Sequence, residues 1–173
     1  TIHPKGTLIP IGGNEDKGNP GYEIDALDVV EEGILSHVVR ESGGTDANIL
    51  VIPTASAIPV EVGENYLEAF DKLGCKNVSV MDIRERKQSG SKEFLKWMEQ
   101  TDCVMFSGGD QSKIVDKIGG TLMHQVLIER FKNENFVIAG TSAGAMCMSK
   151  EMIAGNTGTC LLYTSPSPRD EKV

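Results

Sequence analysis

Short apolar runs alternate with segments of helical spacing along most of the chain. Thr7-Leu8-Ile9-Pro10-Ile11 is apolar and stops at Gly12-Gly13, which reads as a strand. Residues 24–41 then carry Ile24, Leu27, Val30, Ile34, Leu35 and Val38 on one helical face, ended by Ser42-Gly43-Gly44. Asn48-Ile49-Leu50-Val51-Ile52 is a second strand, ended by Pro53, and residues 60–73 form a second helix with Gly74 as its stop. Val78 to Ile83 reads as a third strand and residues 91–100 as a helix carrying Phe94, Leu95, Trp97 and Met98. Cys103-Val104-Met105-Phe106 is a fourth strand, stopped by Gly108-Gly109. Two helical pieces follow, about 111–118 and 121–133, with Thr121 as cap of the second. Phe136-Val137-Ile138-Ala139 is a fifth strand and residues 143–152 a last helix.

Strands that are followed by helices predict an α/β fold, a parallel sheet covered by helices on both faces. The strands read as continuous apolar runs, as doubly buried strands do. Ligands of such sheets bind outside the carboxyl ends of the strands. Four polar or glycine-rich segments follow those ends: Gly12–Lys17, Thr54–Ser56, Ser107–Gln111 and Gly140–Gly144. The rim where they converge is the expected site.

Composition narrows the function classes. The 173 residues suit one domain, with 39% hydrophobic and 24% charged residues. A net charge of −8 and no basic run argue against nucleic acid as a partner and suit a cationic substrate. No apolar stretch is long enough to span a bilayer, and the first residues, Thr1 to Gly6, lack the apolar region of a signal peptide. Cys75, Cys103, Cys147 and Cys160 form no C-x-x-C pair, so neither zinc site nor disulfide framework is expected, and Cys103 reads as a buried small hydrophobe.

The chemistry concentrates in Gly140-Thr141-Ser142-Ala143-Gly144, a G-x-S-x-G between a strand and a helix. A sharp turn there is a nucleophile elbow: Gly140 and Gly144 leave room, the Ser142 hydroxyl stands at the rim, and the Ala143 N–H is an oxyanion donor. The plainer alternative is that Ser142 only caps helix 143–152. Ser107-Gly108-Gly109-Asp110-Gln111 offers a second oxyanion donor, from Gly109 or Asp110, but taken alone it reads better as a βα turn with Asp110 capping the next helix. Gly12-Gly13-Asn14-Glu15-Asp16-Lys17-Gly18 is no dinucleotide fingerprint; its acidic pair can meet a cation, or simply be a solvated loop. His3, His37 and His124 are read as structural or surface residues, which leaves Ser142 without a base in this sequence.

Four ordered motifs together resemble the cyanophycinase group of the serine peptidase family that also contains aspartyl dipeptidase. They are Gly12 to Lys17, Val51-Ile52-Pro53-Thr54-Ala55-Ser56, Gly108-Gly109-Asp110-Gln111 and Gly140-Thr141-Ser142-Ala143-Gly144-Ala145, within a match from about Gly6 to Gly158. The resemblance implies a class I glutamine amidotransferase-like fold and cleavage of β-aspartyl-arginine units from cyanophycin. It implies Ser142 as nucleophile, Ala143 and Gly109 at the oxyanion hole, and Gln111 toward substrate; Asp110 and Asp16 are the further substrate-binding candidates. It further implies no metal or organic cofactor, a homodimer and a cytoplasmic location. An aspartyl dipeptidase-like specificity and a non-catalytic binding module are the alternatives; a glutamine amidotransferase is disfavoured because position 142 is serine rather than cysteine.

The tail departs from this pattern. Cys160 to Asp170 holds a Ser-Pro-Ser-Pro stretch with no helical or strand period, and it resembles translated adapter sequence. The expected division is a truncated α/β hydrolytic domain over 1–159 and a non-native or disordered tail over 160–173. In the resembling family the histidine and its acidic partner follow the serine, so the expectation is a fragment, inactive on its own, whose C-terminal part is missing.

Overall fold

The computed structural model describes residues 4–11 and 32–140. Within them the order is β1 (Thr7–Pro10), α1 (Glu32–Glu41), β2 (Asn48–Ile52), α2 (Pro59–Lys72), β3 (Asn77–Val80), a 3-10 turn (Arg86–Gly90), α3 (Lys92–Gln100), β4 (Cys103–Phe106), α4 (Gln111–Ile118), α5 (Leu122–Asn133) and β5 (Val137–Gly140). The expected helix over 143–152, and residues 24–31 of the first expected helix, lie outside the described residues.

All strand pairs are parallel, in the order β1-β5-β4-β2-β3. Successive side chains of a strand point to opposite faces, so the core divides in two. Leu50, Ile52, Val104, Phe106 and Ile138 pack against α3, α4 and α5 through Met98, Ile114, Ile118, Leu127 and Phe131. Ile49, Val51, Cys103, Met105, Val137 and Ala139 pack against α1 and α2 through Leu35, Val38, Val62, Tyr66 and Phe70. Burying such side chains fully stabilises the fold by roughly 1.5–3 kcal/mol each before entropy is charged.

The two outer strands differ from the expected continuous runs. The four residues of β3 alternate between exposed and half-buried, and β3 ends at Val80 rather than Ile83. The last ladder bond is Met81 N–H to the Val51 carbonyl at 2.8 Å, after which the chain turns toward the 3-10 segment. An edge strand buries only one row of side chains, so a two-sided apolar pattern is not required of it.

Helix ends follow local chemistry. Ser91, Asp110 and Thr121 each accept a bond from a first-turn N–H, capping α3, α4 and α5. Gly74 ends α2 at φ +86°, with its N–H on the Asp71 carbonyl. The 3-10 turn was not expected; Glu85 and Gln88 cap it reciprocally, a short-range pattern without helical periodicity. Arg130 of α5 ties the layers together. Its Nη1 donates to the Met98 carbonyl at 2.8 Å and to that of Thr101, and its guanidinium lies 4.4 Å from the Phe136 ring centre.

The connections place a switch point in the sheet. In strand order, β1 to β2 and β2 to β3 run one way, with α1 and α2 on one face. From β3 to β4 and β4 to β5 the chain runs back, with α3, α4 and α5 on the other face. A uniform crossover hand demands this switch of face. The chain therefore leaves the adjacent strands β2 and β4 in opposite directions, and in such sheets ligands bind beyond the carboxyl ends at this switch point.

Candidate active site

The sheet register sets the loops level. Pro10 pairs with Gly140, Gly140 with Phe106, and Phe106 with Ile52, so four strands end in one row. Of the expected rim loops, Thr54–Ser56 and Ser107–Gln111 lie wholly within the described residues. Gly140–Gly144 is described only at Gly140, and Gly12–Lys17 lies outside. Ser142, Ala143 and Asp16 therefore lie outside the described residues. Gly140 stands two residues before Ser142, paired with Phe106, which stands three before Gly109.

The loop after β4 is held against the loop after β2. Ser107 N–H extends the ladder to the Ile52 carbonyl at 3.2 Å, and Asp110 N–H donates to the Ala55 carbonyl at 2.8 Å. Between them Gly109 has φ +133°, and a Cβ there would meet Ala55 O at 2.2 Å and Ala55 C at 2.6 Å. Only glycine fits that position, for both conformation and space. The contact separates the two oxyanion candidates. The Asp110 N–H is spent on Ala55, whereas no acceptor takes the Gly109 N–H among the described residues. A donor left without an acceptor among the described residues, just past a strand end, is the kind that can hold a developing oxyanion.

Asp110 does what the plainer reading of its turn expected. Its Oδ1 accepts from Ser112 N–H at 2.9 Å and from Ser112 Oγ at 2.7 Å, capping α4. Gln111 opens α4, and its Oε1 is buried with no hydrogen-bond partner among the described residues. A buried carbonyl oxygen without a donor is costly, which sets Gln111 apart from the other polar groups of this turn.

The loop after β2 is unusual in being buried from Pro53 to Ser56. Burying a loop requires that its polar groups find partners inside. Thr54 Oγ1 donates to the Ile83 carbonyl at 3.0 Å, Ser56 N–H donates to the Pro53 carbonyl at 3.0 Å, and Ser56 Oγ accepts from Ile58 N–H at 3.0 Å. The segment after β3 thereby joins the rim as well. Asp82 pairs there with Arg84 at 2.8 Å. Sequence reading marked Thr54–Ser56 as rim but assigned it no task; a backbone acceptor such as Ala55 O leaves no trace in residue type.

The described histidines are placed as expected for structural residues. His37 is exposed on α1. His124 is buried in the first turn of α5, its Nδ1 accepting from Gly120 N–H at 2.9 Å. Cys103 is fully buried, and that burial pushes its thiol up to about 12, with Asp102 adding to the effect and Ser42 opposing it. A thiol so held is not a nucleophile. Among the described residues no three His, Cys, Asp or Glu side chains cluster as a metal site, and no helix is long and apolar enough to cross a membrane.

Comparison with known proteins gives this geometry a context. The family model described as peptidase family S51 matches residues 25–167. A cyanophycinase of Geminocystis herdmanii is 33% identical over 88% of this chain and 52% of its own length. A cyanophycinase of Trichormus variabilis is 34% identical over 87% of this chain and 47% of its own. The chain thus spans about half the length of the curated relatives it matches. Among solved structures, a peptidase from an acI-B1 actinobacterium superposes with a TM-score of 0.56 at 22% identity, over 83% of this chain and 56% of that one. A protein assigned as peptidase E from Listeria monocytogenes EGD-e gives 0.53 at 18%, over 82% and 79%. These two likenesses concern the fold.

Proposed function

The chain belongs to peptidase family S51, and we propose that it carries the nucleophile of a serine-type hydrolase that cleaves β-aspartyl-arginine units from cyanophycin. The observation that carries the proposal is the pairing of Gly140 with Phe106. It brings the strand that leads into Gly140-Thr141-Ser142-Ala143-Gly144 beside the strand that leads into the Gly109 turn. A serine and a backbone donor arriving on adjacent strands at one level are what acyl transfer needs.

In this mechanism Ser142 Oγ attacks the backbone aspartyl carbonyl that joins one β-aspartyl-arginine unit to the next. The carbonyl oxygen takes the negative charge and is held by the N–H groups of Gly109 and Ala143. The carbon–nitrogen bond then breaks, leaving the remaining chain as an aspartyl ester on Ser142, and the β-aspartyl-arginine unit departs through its backbone amine, which carries the proton that a base took from the serine. Water, deprotonated by the same base, hydrolyses the ester. His37 and His124 do not suit this work, so the base is a residue other than these two. Gln111, whose buried Oε1 has no partner among the described residues, and Asp110 face the substrate from the start of α4, and Asp16 adds acidity for the guanidinium branch. The overall charge of −8 suits such a branch. The enzyme works without metal or organic cofactor, as a homodimer inside the cell.

The test is Ser142→Ala in protein expressed from the complete reading frame, assayed on cyanophycin and on short α-aspartyl peptides. Turnover of cyanophycin should fall by about four or more orders of magnitude with the thermal transition unchanged. Near-normal turnover removes Ser142 from the role. A wild-type protein that cleaves only the short peptides replaces cyanophycin with a dipeptidase substrate.

A further inference from the structure

We propose that Thr54 is a positioning residue for the oxyanion loop, acting through the Ala55 carbonyl; the inference rests on the reading of Gly109 as an oxyanion donor. Three contacts form a chain across the rim. Thr54 Oγ1 donates to the Ile83 carbonyl at 3.0 Å, with both residues buried. Ser56 N–H closes the turn onto the Pro53 carbonyl at 3.0 Å. The carbonyl of the buried residue Ala55, fixed between them, receives Asp110 N–H at 2.8 Å.

Gly109 is pressed against the same carbonyl. The place a Cβ would occupy lies 2.2 Å from Ala55 O and 3.0 Å from Ser56 N, so the Gly109 backbone has the β2 loop as its floor. If the Ala55 peptide rotates, Asp110 loses its acceptor and the Gly109 peptide loses that floor. The direction of the Gly109 N–H is therefore set two residues away from any group that touches substrate. The Thr54 hydroxyl holds that direction because Ile83 C=O and Thr54 are buried, and a buried acceptor left without its donor forces the loop to move. Oxyanion donors act only within a narrow range of distance and angle, and a displacement of about 1 Å can cost about 100-fold in rate.

The experiment compares Thr54→Val, which keeps the shape and removes the hydroxyl, with Thr54→Ser, which keeps the hydroxyl. Both are made in protein expressed from the complete reading frame. Thr54→Val should lower kcat about 10- to 100-fold with KM changed less than about twofold, because only transition-state contact is lost. Thr54→Ser should recover most of kcat. The second readout needs no activity: exchange of the Asp110 amide should rise at least about tenfold in the Val variant and return in the Ser variant, while β4 amides stay slow. Unchanged kcat in Thr54→Val overturns the inference. So does a loss that Ser fails to restore at unchanged Asp110 exchange, since packing of the methyl group would then be responsible. If Ser142→Ala leaves turnover intact, the proposed chemistry fails first, and the exchange measurement still decides whether Thr54 holds the loop.

Discussion

Gly109 shows how one residue is constrained from two sides. Its φ of +133° is costly for any side chain, and the space a Cβ needs is filled by the Ala55 carbonyl. Gly109→Ala must therefore push the two loops apart. We expect kcat to fall about 100-fold or more, the cost of one lost oxyanion donor, with a stability loss of about 1–3 kcal/mol. Steady-state kinetics beside a denaturant titration would show it, and a fully active variant would place the oxyanion donor elsewhere. Cys103 makes a prediction of a different kind. Its folded-state value of about 12 lies above the ordinary 9.0, so the native state holds the proton more tightly than the unfolded chain. Stability from this source is complete below the unfolded value and drains away as pH rises from 9.0 toward about 12. Cys103→Ala should flatten the alkaline limb of the stability curve, measured as the denaturation midpoint against pH. An unchanged slope would assign the alkaline loss to other groups.

At the scale of elements, α5 and α3 are joined by Arg130 rather than by apolar contact alone. The guanidinium donates to the carbonyls of Met98 and Thr101 at the end of α3, pairs with Glu134 at 2.7 Å and stacks on Phe136, with its side chain 15% exposed. A cation at the carboxyl end of a helix answers both the unpaired carbonyls and the helix dipole. Arg130→Met should cost about 1.5–3 kcal/mol by denaturant titration, since it leaves buried carbonyls without a charged donor. Arg130→Lys should recover only part of that, because an ammonium cannot fork between two carbonyls and lie flat on a ring. Loss of less than about 0.5 kcal/mol in the Met variant would mean that apolar packing alone docks these helices.

Across the whole molecule, position in the sheet decides stability more than residue type does. β4 and β5 are buried at every residue, while β3 alternates between exposed and half-buried. Opening β3 exposes one row of side chains, whereas opening β4 or β5 exposes two and breaks ladders on both sides. Native-state amide exchange should be slowest at Val104, Met105, Ile138 and Ala139, and at least about tenfold faster through Asn77–Val80. Comparable rates in β3 and β4 would indicate that something covers the outer edge of β3 in solution. The same arrangement serves the rim: strands buried at every residue deliver the Gly109 turn and Gly140.

What the sequence determined was periodicity and punctuation. Strands over Asn48–Ile52 and Cys103–Phe106 and the helix over Gln111–Ile118 match the expected bounds, because long apolar runs and caps such as Asp110 and Thr121 act within a few residues. The βα turn at Asp110 was legible for the same reason. Strand order was not in the residues: nothing local says that β5 inserts between β1 and β4, or that β3 becomes an edge with only one buried row. The rim's inner contacts were equally hidden. Ala55 O under Gly109, and Thr54 on Ile83, join loops that are distant in sequence and pair through backbone groups every residue carries. Local chemistry chooses the elements and their ends. The tertiary structure alone chooses their neighbours, because burial is settled by the whole sheet at once, and the Gly109 loop takes its shape from a neighbour that sequence could not name.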